Sequence, residues 1–189
     1  MSEPRIAVLG LGNLMRADDA VGMLALQAMR ADPRMPSSVD LIEGGTLGLD
    51  LLYPLDGVTH LLALDAIDAG VAPGKLLRFA GEAIADLPAA KSVHLLGFSD
   101  LIGAMRLTGG VPGEVVVLGV QPQRIEWGTE LSPTVAAALP RLLSAAFAQL
   151  DAWVRPDDDA DADLPHRIPP YATGIGLRAA GSRESEWYW

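Results

Sequence analysis

Two adjacent carboxylates, Asp18 and Asp19, a third at Asp65 and an imidazole at His94 are the side chains in this sequence best suited to chemistry. Oxygen and nitrogen donors of this kind suit nickel, zinc, manganese or iron, whereas a closed structural zinc site usually shows thiolates. Cysteine is absent, which removes disulfides, thiolate ligands and a cysteine nucleophile together. Each of the four also has a plain structural alternative. Asp18 and Asp19 could cap a helix start, Asp65 could cap the turn after it with Asp68 as companion, and His94 could be a capping or surface residue. Placement favours the chemical reading. Asp65 ends the apolar run LLALD, and the other three stand at loop-to-helix junctions that can face the same sheet edge. Open parallel sheets gather their ligands at that edge.

The loop GLGNLMRADDAVG, residues 10–22, resembles a phosphate cradle but fails as one. Gly10 and Gly12 supply two glycines of G-x-G-x-x-G, Met15 stands where the third belongs, and Glu43 could serve as the ribose-binding acid. A pyrophosphate would then sit on a helix start carrying Asp18 and Asp19. Repulsion from two carboxylates outweighs the helix dipole's modest attraction. Other hydrolase signatures do poorly. GFSDL, Gly97 to Leu101, is one residue short of G-x-S-x-G and falls inside a helical pattern, and H-E-x-x-H is missing. Ser92 or Ser99 could form part of a triad, but no motif asks for one. His60 begins a strand and His166 stands in the tail, so both read as ordinary surface residues.

The elements that must position these groups alternate along the chain. RIAVLGLG, VDLIEGG, THLLALDAI and GEVVVLGV read as strands, the first and last buried on both faces because their apolar runs are continuous. GKLLRFAG alternates more and reads as an antiparallel edge strand. Asp19 to about Arg30 reads as a helix with Val21, Leu24, Ala25, Ala28 and Met29 as its apolar stripe. A short helix falls near Leu47–Tyr53, and a longer one after His94 buries Leu95, Leu96, Phe98, Leu101, Ile102 and Met105. Ser132-Pro133 opens a long final helix, in which Pro140 predicts a kink or break. The expected architecture is a three-layer α/β/α domain with a twisted, mostly parallel five-stranded sheet and one antiparallel edge strand.

The chain is long enough for one sizeable core, spanning 1–155. Half of its residues are hydrophobic and only 5% aromatic, so Leu, Val, Ala and Ile must build that core. A net charge of −10 argues against nucleic acid as a partner. The N-terminal MSEPRIAVLG predicts no signal peptide, and no apolar run approaches the roughly 20 residues of a membrane span. A reducing cytoplasm fits the lack of cysteine. Residues 156–189, acidic and then rich in Pro and Gly, read as a flexible tail outside the domain. Alternatively, Trp187, Tyr188 and Trp189 dock on the domain or on a partner.

Taken in order, Gly10, Gly12, Asn13, Asp18, Asp19 and Gly22, the Gly44-Gly45-Thr46 turn, Asp65-Ala66, Ser92-x-His94, Leu107-Thr108-Gly109, Leu118-Gly119-Val120-Gln121-Pro122 and Leu131-Ser132-Pro133 resemble the hydrogenase maturation protease family. Single pieces are weak, but their order and spacing from about Arg5 to Val154 are specific. The resemblance implies an endopeptidase that removes the C-terminal extension of a [NiFe]-hydrogenase large-subunit precursor after nickel insertion. Asp19, Asp65 and His94 match the three metal-binding positions, and Glu43, Gly44, Gly45 and Thr46 a substrate-recognition turn, with Glu43 standing where many members have Asp. Ala20 replaces a frequent Gly. The nickel would be carried by the substrate rather than held permanently. The implied enzyme is a monomer, with a hydrogenase accessory chaperone as a further partner. Two alternatives stay open: a metallohydrolase with its own Zn or Mn, and a non-catalytic nickel-sensing chaperone of the hydrogenase.

Overall fold

The computed structural model describes residues 4–81, 93–154 and 186–188. Its strands are β1 (Ile6–Leu11), β2 (Val39–Gly45), β3 (His60–Ala66), β4 (Leu76–Ala80), β5 (Glu114–Val120) and β6 (Glu186–Tyr188). Its α-helices are α1 (Val21–Ala31), α2 (Val93–Thr108) and α3 (Pro133–Val154). The sheet runs in the order β2-β1-β3-β5-β4-β6. β2, β1, β3 and β5 are mutually parallel, whereas β4 is antiparallel to β5, as the alternation of GKLLRFAG predicts.

β1 is apolar throughout, and β3 is apolar from Leu61 to Leu64, because both faces are covered. On one face α1 and α3 bury Val21, Leu26, Met29, Leu142 and Leu150 against Val8, Leu62, Leu64 and Val116. On the other, α2 and the 3-10 turn Leu49–Leu52 pack Phe98, Leu101 and Leu51 onto Leu9, Leu61, Ala63 and Val117. The expected three-layer domain is therefore present. No helix among the described residues is long and apolar enough to cross a membrane.

Three local expectations change. Asp18 and Asp19 belong to a separate 3-10 turn, Ala17–Ala20, and α1 begins only at Val21. The buried stripe of α1 is Val21, Gly22, Met23, Ala25, Leu26 and Met29; Leu24 and Ala28 are only partly covered. Contact with the backbone ends of β1 and β3 rotates the helix from the orientation that side-chain pattern alone suggests. The last helix passes Pro140 without ending, since Ala138, Leu142, Ala146 and Leu150 anchor both sides of the proline in one core.

The tail differs too. Residues 186–188, to which the sequence reading gives no strand, extend the sheet by pairing antiparallel with β4 (Leu76 with Tyr188, Arg78 with Glu186). The alternative in which the aromatic end docks on the domain is the one this pairing matches. An edge strand presents unpaired N–H and C=O groups, and a short added strand covers them. The remainder of 155–189 lies outside the described residues. Deleting residues 186–189 should speed hydrogen exchange of the outward-facing β4 amides by about tenfold or more while leaving β1 and β3 protected. Unchanged exchange in Leu76–Ala80 would show that β6 does not cover this edge.

Candidate functional site

The strand order places a switch point between β1 and β3. From β1 the chain crosses to β2 on one side, then returns to β3 on the other. Such reversals open a crevice beyond the carboxyl ends of the strands. Gly10 is in register with Leu64, so Leu11 and Asp65 extend side by side toward that crevice. Asp65 is completely buried, and one of its carboxylate oxygens accepts the Ala66 N–H at 2.8 Å. Asp68, its expected companion, caps the following turn by accepting the Gly70 N–H at 3.0 Å.

Asp19 reaches the same place through the turn after β1. Gly12 has φ 118°, and a Cβ there would lie 1.9 Å from the carbonyl oxygen of Asp19. Only glycine lets the strand exit pass so close beneath the 3-10 turn. At Gly22 a Cβ would lie 2.2 Å from the Leu64 carbonyl oxygen and 2.5 Å from that of Leu11. The start of α1 thus rests on the ends of β1 and β3. Asp19 is nearly buried there, and its carboxylate accepts the Asn13 N–H at 3.0 Å. Asn13 in turn accepts the Met15 N–H on its own side-chain oxygen, which folds the loop around Asp19.

Asp18, next in sequence, does something else. It is completely buried, and its carboxylate accepts four hydrogen bonds from the β5–α3 connection. The donors are the backbone N–H of Gln123 at 2.8 Å, of Arg124 at 2.9 Å and of Ser132 at 2.6 Å, and the Ser132 hydroxyl at 2.9 Å. Four donors satisfy a carboxylate. Asp18 therefore ties the 3-10 turn to a segment more than a hundred residues away, a structural role different from the helix-start cap expected of it.

His94 lies in the first turn of α2; its side chain is outside the described residues. The helix itself is placed by its neighbours. A Cβ on Gly97 would lie 3.6 Å from the Cα of Gly48, which follows the carboxyl end of β2. The start of α2 therefore meets the same sheet edge as Asp19 and Asp65. The GFSDL segment lies within α2, so Ser99 is not on a strand-to-helix elbow, and Ser92 is outside the described residues.

The Glu43–Thr46 segment adjoins this crevice through β1, with Gly10 opposite Glu43 and the Gly12 N–H bonded to the Gly45 carbonyl at 2.9 Å. Gly44 is buried and Thr46 exposed. The Glu43 carboxylate is half-exposed and paired with Arg30 of α1, so part of its charge is already answered within the domain. His60 sits at the opposite end of β3 from Asp65, half-buried with its ring edge-on to Trp153. It is thus more enclosed than a surface reading implies.

Gln121 was not assigned a role from sequence, though it stands in the Leu-Gly-Val-Gln-Pro segment. Its buried side-chain oxygen accepts the N–H groups of Ala69 at 2.9 Å and Val71 at 3.2 Å, and its nitrogen donates to Asp68. Those bonds set the loop that follows Asp65. A buried amide immediately after an apolar strand was the available signal.

The sequence and the fold are similar to those of known proteins. A family model described as hydrogenase maturation protease matches residues 23–149, a span that includes Asp65 and His94 and begins just after Asp19. The chain is 35% identical over 148 residues to the hydrogenase 2 maturation protease of Escherichia coli, covering 77% of this chain and 90% of that one. It is 32% identical to the hydrogenase expression/formation protein HoxM of Azotobacter vinelandii over 98% of this chain and 91% of that protein, so that similarity extends beyond Val154. The solved structure of the hydrogenase maturating endopeptidase HybD from E. coli superimposes with a TM-score of 0.74 at 34% identity, covering 77% of this chain and 91% of that chain.

The contrast between the two neighbouring acids can be measured. Asp18→Ala should cost about 3 kcal/mol or more of unfolding free energy, because it strands buried N–H donors of the β5–α3 connection. Asp19→Asn keeps the volume and an acceptor for Asn13 and should cost about 1 kcal/mol or less. Denaturant melts of the two variants decide the matter, and equal losses would refute the division of roles.

Proposed function

The chain belongs to the hydrogenase maturation protease family, and on that premise we propose that it removes the C-terminal extension of a [NiFe]-hydrogenase large-subunit precursor once nickel is in place. The observation that carries this reading is the pair of buried carboxylates, Asp19 and Asp65, at the β1/β3 switch point of a chain of this family. Carboxylate oxygens are hard donors suited to a cation that arrives at the carboxyl ends of the strands. His94, from the start of α2, completes the donor set. The nickel arrives with the precursor, as part of the substrate. Asp19, Asp65 and His94 sense it, so the precursor becomes cleavable only after metal insertion.

Cleavage follows a water-based route, since the chain has no cysteine to serve as nucleophile. Water adds to the scissile carbonyl, the C–N bond breaks, and the leaving amine takes up a proton. A carboxylate in reach of that water can accept its proton, and the metal can polarise the carbonyl. Gly44, Gly45 and Thr46, with Glu43 beside them, form a turn along which the extension can lie. The enzyme works in the cytoplasm as a monomer, and an accessory chaperone of the hydrogenase is a further partner.

Incubation with nickel-loaded and nickel-free precursor tests the proposal. Only the loaded form should lose mass at its C-terminus, and equal processing of both forms would sink the nickel gate. Asp19→Asn, Asp65→Asn and His94→Ala should each reduce processing by about a hundredfold or more, the scale expected when a group acting in the chemical step is lost. Melting temperatures should stay near that of the parent. Tight stoichiometric metal in the purified protein would instead favour a resident-metal hydrolase.

A further inference from the structure

Two loops at the edge of the crevice are joined into one body and carry apolar side chains on its outside. The first runs from Asn13 to Asp18, the second from Gln123 to Ser132. Residues Arg16 and Gly128 form an isolated parallel bridge. The Gly128 N–H donates to the Met15 carbonyl at 3.0 Å, and the Ala17 N–H donates to the Gly128 carbonyl at 2.8 Å. Behind this bridge sit the four hydrogen bonds to Asp18.

Met15 and Trp127 are therefore held side by side, 53% and 81% exposed, with Leu14 and Ile125 each 38% exposed on the same two loops. A tryptophan this exposed gives up little hydrophobic surface on folding. Exposed apolar groups in a cluster mark interaction surfaces, and Trp is prominent among residues that dominate binding energy. Met beside it adapts to irregular partner surfaces. The backbone bonds fix the platform before any partner arrives, which spares most of the ordering cost of binding.

Resting on the proposed function, we infer that this two-loop platform is the docking surface for the folded body of the hydrogenase large-subunit precursor, with Trp127 and Met15 as its anchors. Continuity with the crevice selects that occupant. The loop that presents Leu14 and Met15 is the one whose Asn13 N–H holds the Asp19 carboxylate. A partner seated on the platform is within two residues of Asn13, whose N–H holds the carboxylate that would sense its metal. A second copy of this chain seated there would cover the crevice and block its own substrate. Asp18 is then a positioning residue: it aligns the platform with Asp19 without touching the partner.

The test compares Met15→Ser/Trp127→Ser with the parent platform, both in an Asp19→Asn background in which cleavage is off. Binding of nickel-loaded precursor is followed by titration calorimetry. The platform variant should bind at least tenfold more weakly with an unchanged melting temperature. In the cleavage-competent background the same double substitution should raise KM with kcat kept within about twofold, as expected for lost uniform binding. Equal affinities would overturn the proposal. So would concentration-dependent self-association in ultracentrifugation that the double substitution abolishes while precursor affinity stays the same. If the parent binds the precursor through the platform but never cleaves it, the proteolytic reading fails and the docking surface stands.

Discussion

The start of α1 rests on the carbonyl ends of β1 and β3, and the rest of the site depends on that contact. Side chains normally keep the backbones of packed elements apart; at Gly22 there is none, and backbone meets backbone. Gly12 provides the matching clearance where the chain leaves β1. Between these two glycines lies a buried turn packed close to the strand ends, and it carries Asp19 to the carboxyl ends of β1 and β3. The glycines that imitate a phosphate loop in sequence are clearances for this close packing.

Neighbouring carboxylates in that turn have unlike environments because a 3-10 turn directs successive side chains about a third of a revolution apart. Asp18 faces the β5–α3 connection and is saturated by it. Asp19 faces the strand ends, where the Asn13 N–H holds one of its oxygens. Long-range bonds of this kind fold distant loops into one rigid unit and let the sheet edge be shaped by groups far apart in sequence. Gln121 does the same for the loop after Asp65. Preorganisation of the crevice thus rests on two buried polar side chains outside the proposed donor set.

The fold alone would not identify the reaction, since doubly wound sheets host many chemistries. The identification rests on belonging to the hydrogenase maturation protease family together with the buried acids at the switch point. The arrangement also suits a substrate that is a folded protein. Apolar loops flank the crevice on the β1 and β5 side, and the antiparallel β4 edge is covered by residues of the same chain.

Local pattern determined a large part of this protein. Continuous apolar runs identified β1, β3 and β5, alternation identified β4 as antiparallel, and acids at element ends singled out Asp19 and Asp65, because periodicity and burial cost act over a few residues. Tertiary structure decided what depends on partners distant in the chain. It gave Asp18 its partners, since donors at 123, 124 and 132 are invisible from position 18. It turned α1 onto Met23 and Leu26 in place of Leu24, carried α3 through Pro140, gave Gln121 its place, and set a short strand from the tail on β4. Each of these outcomes follows from one physical fact: a side chain's own type states what it needs, and only the folded chain states what stands within hydrogen-bonding or packing distance to supply it.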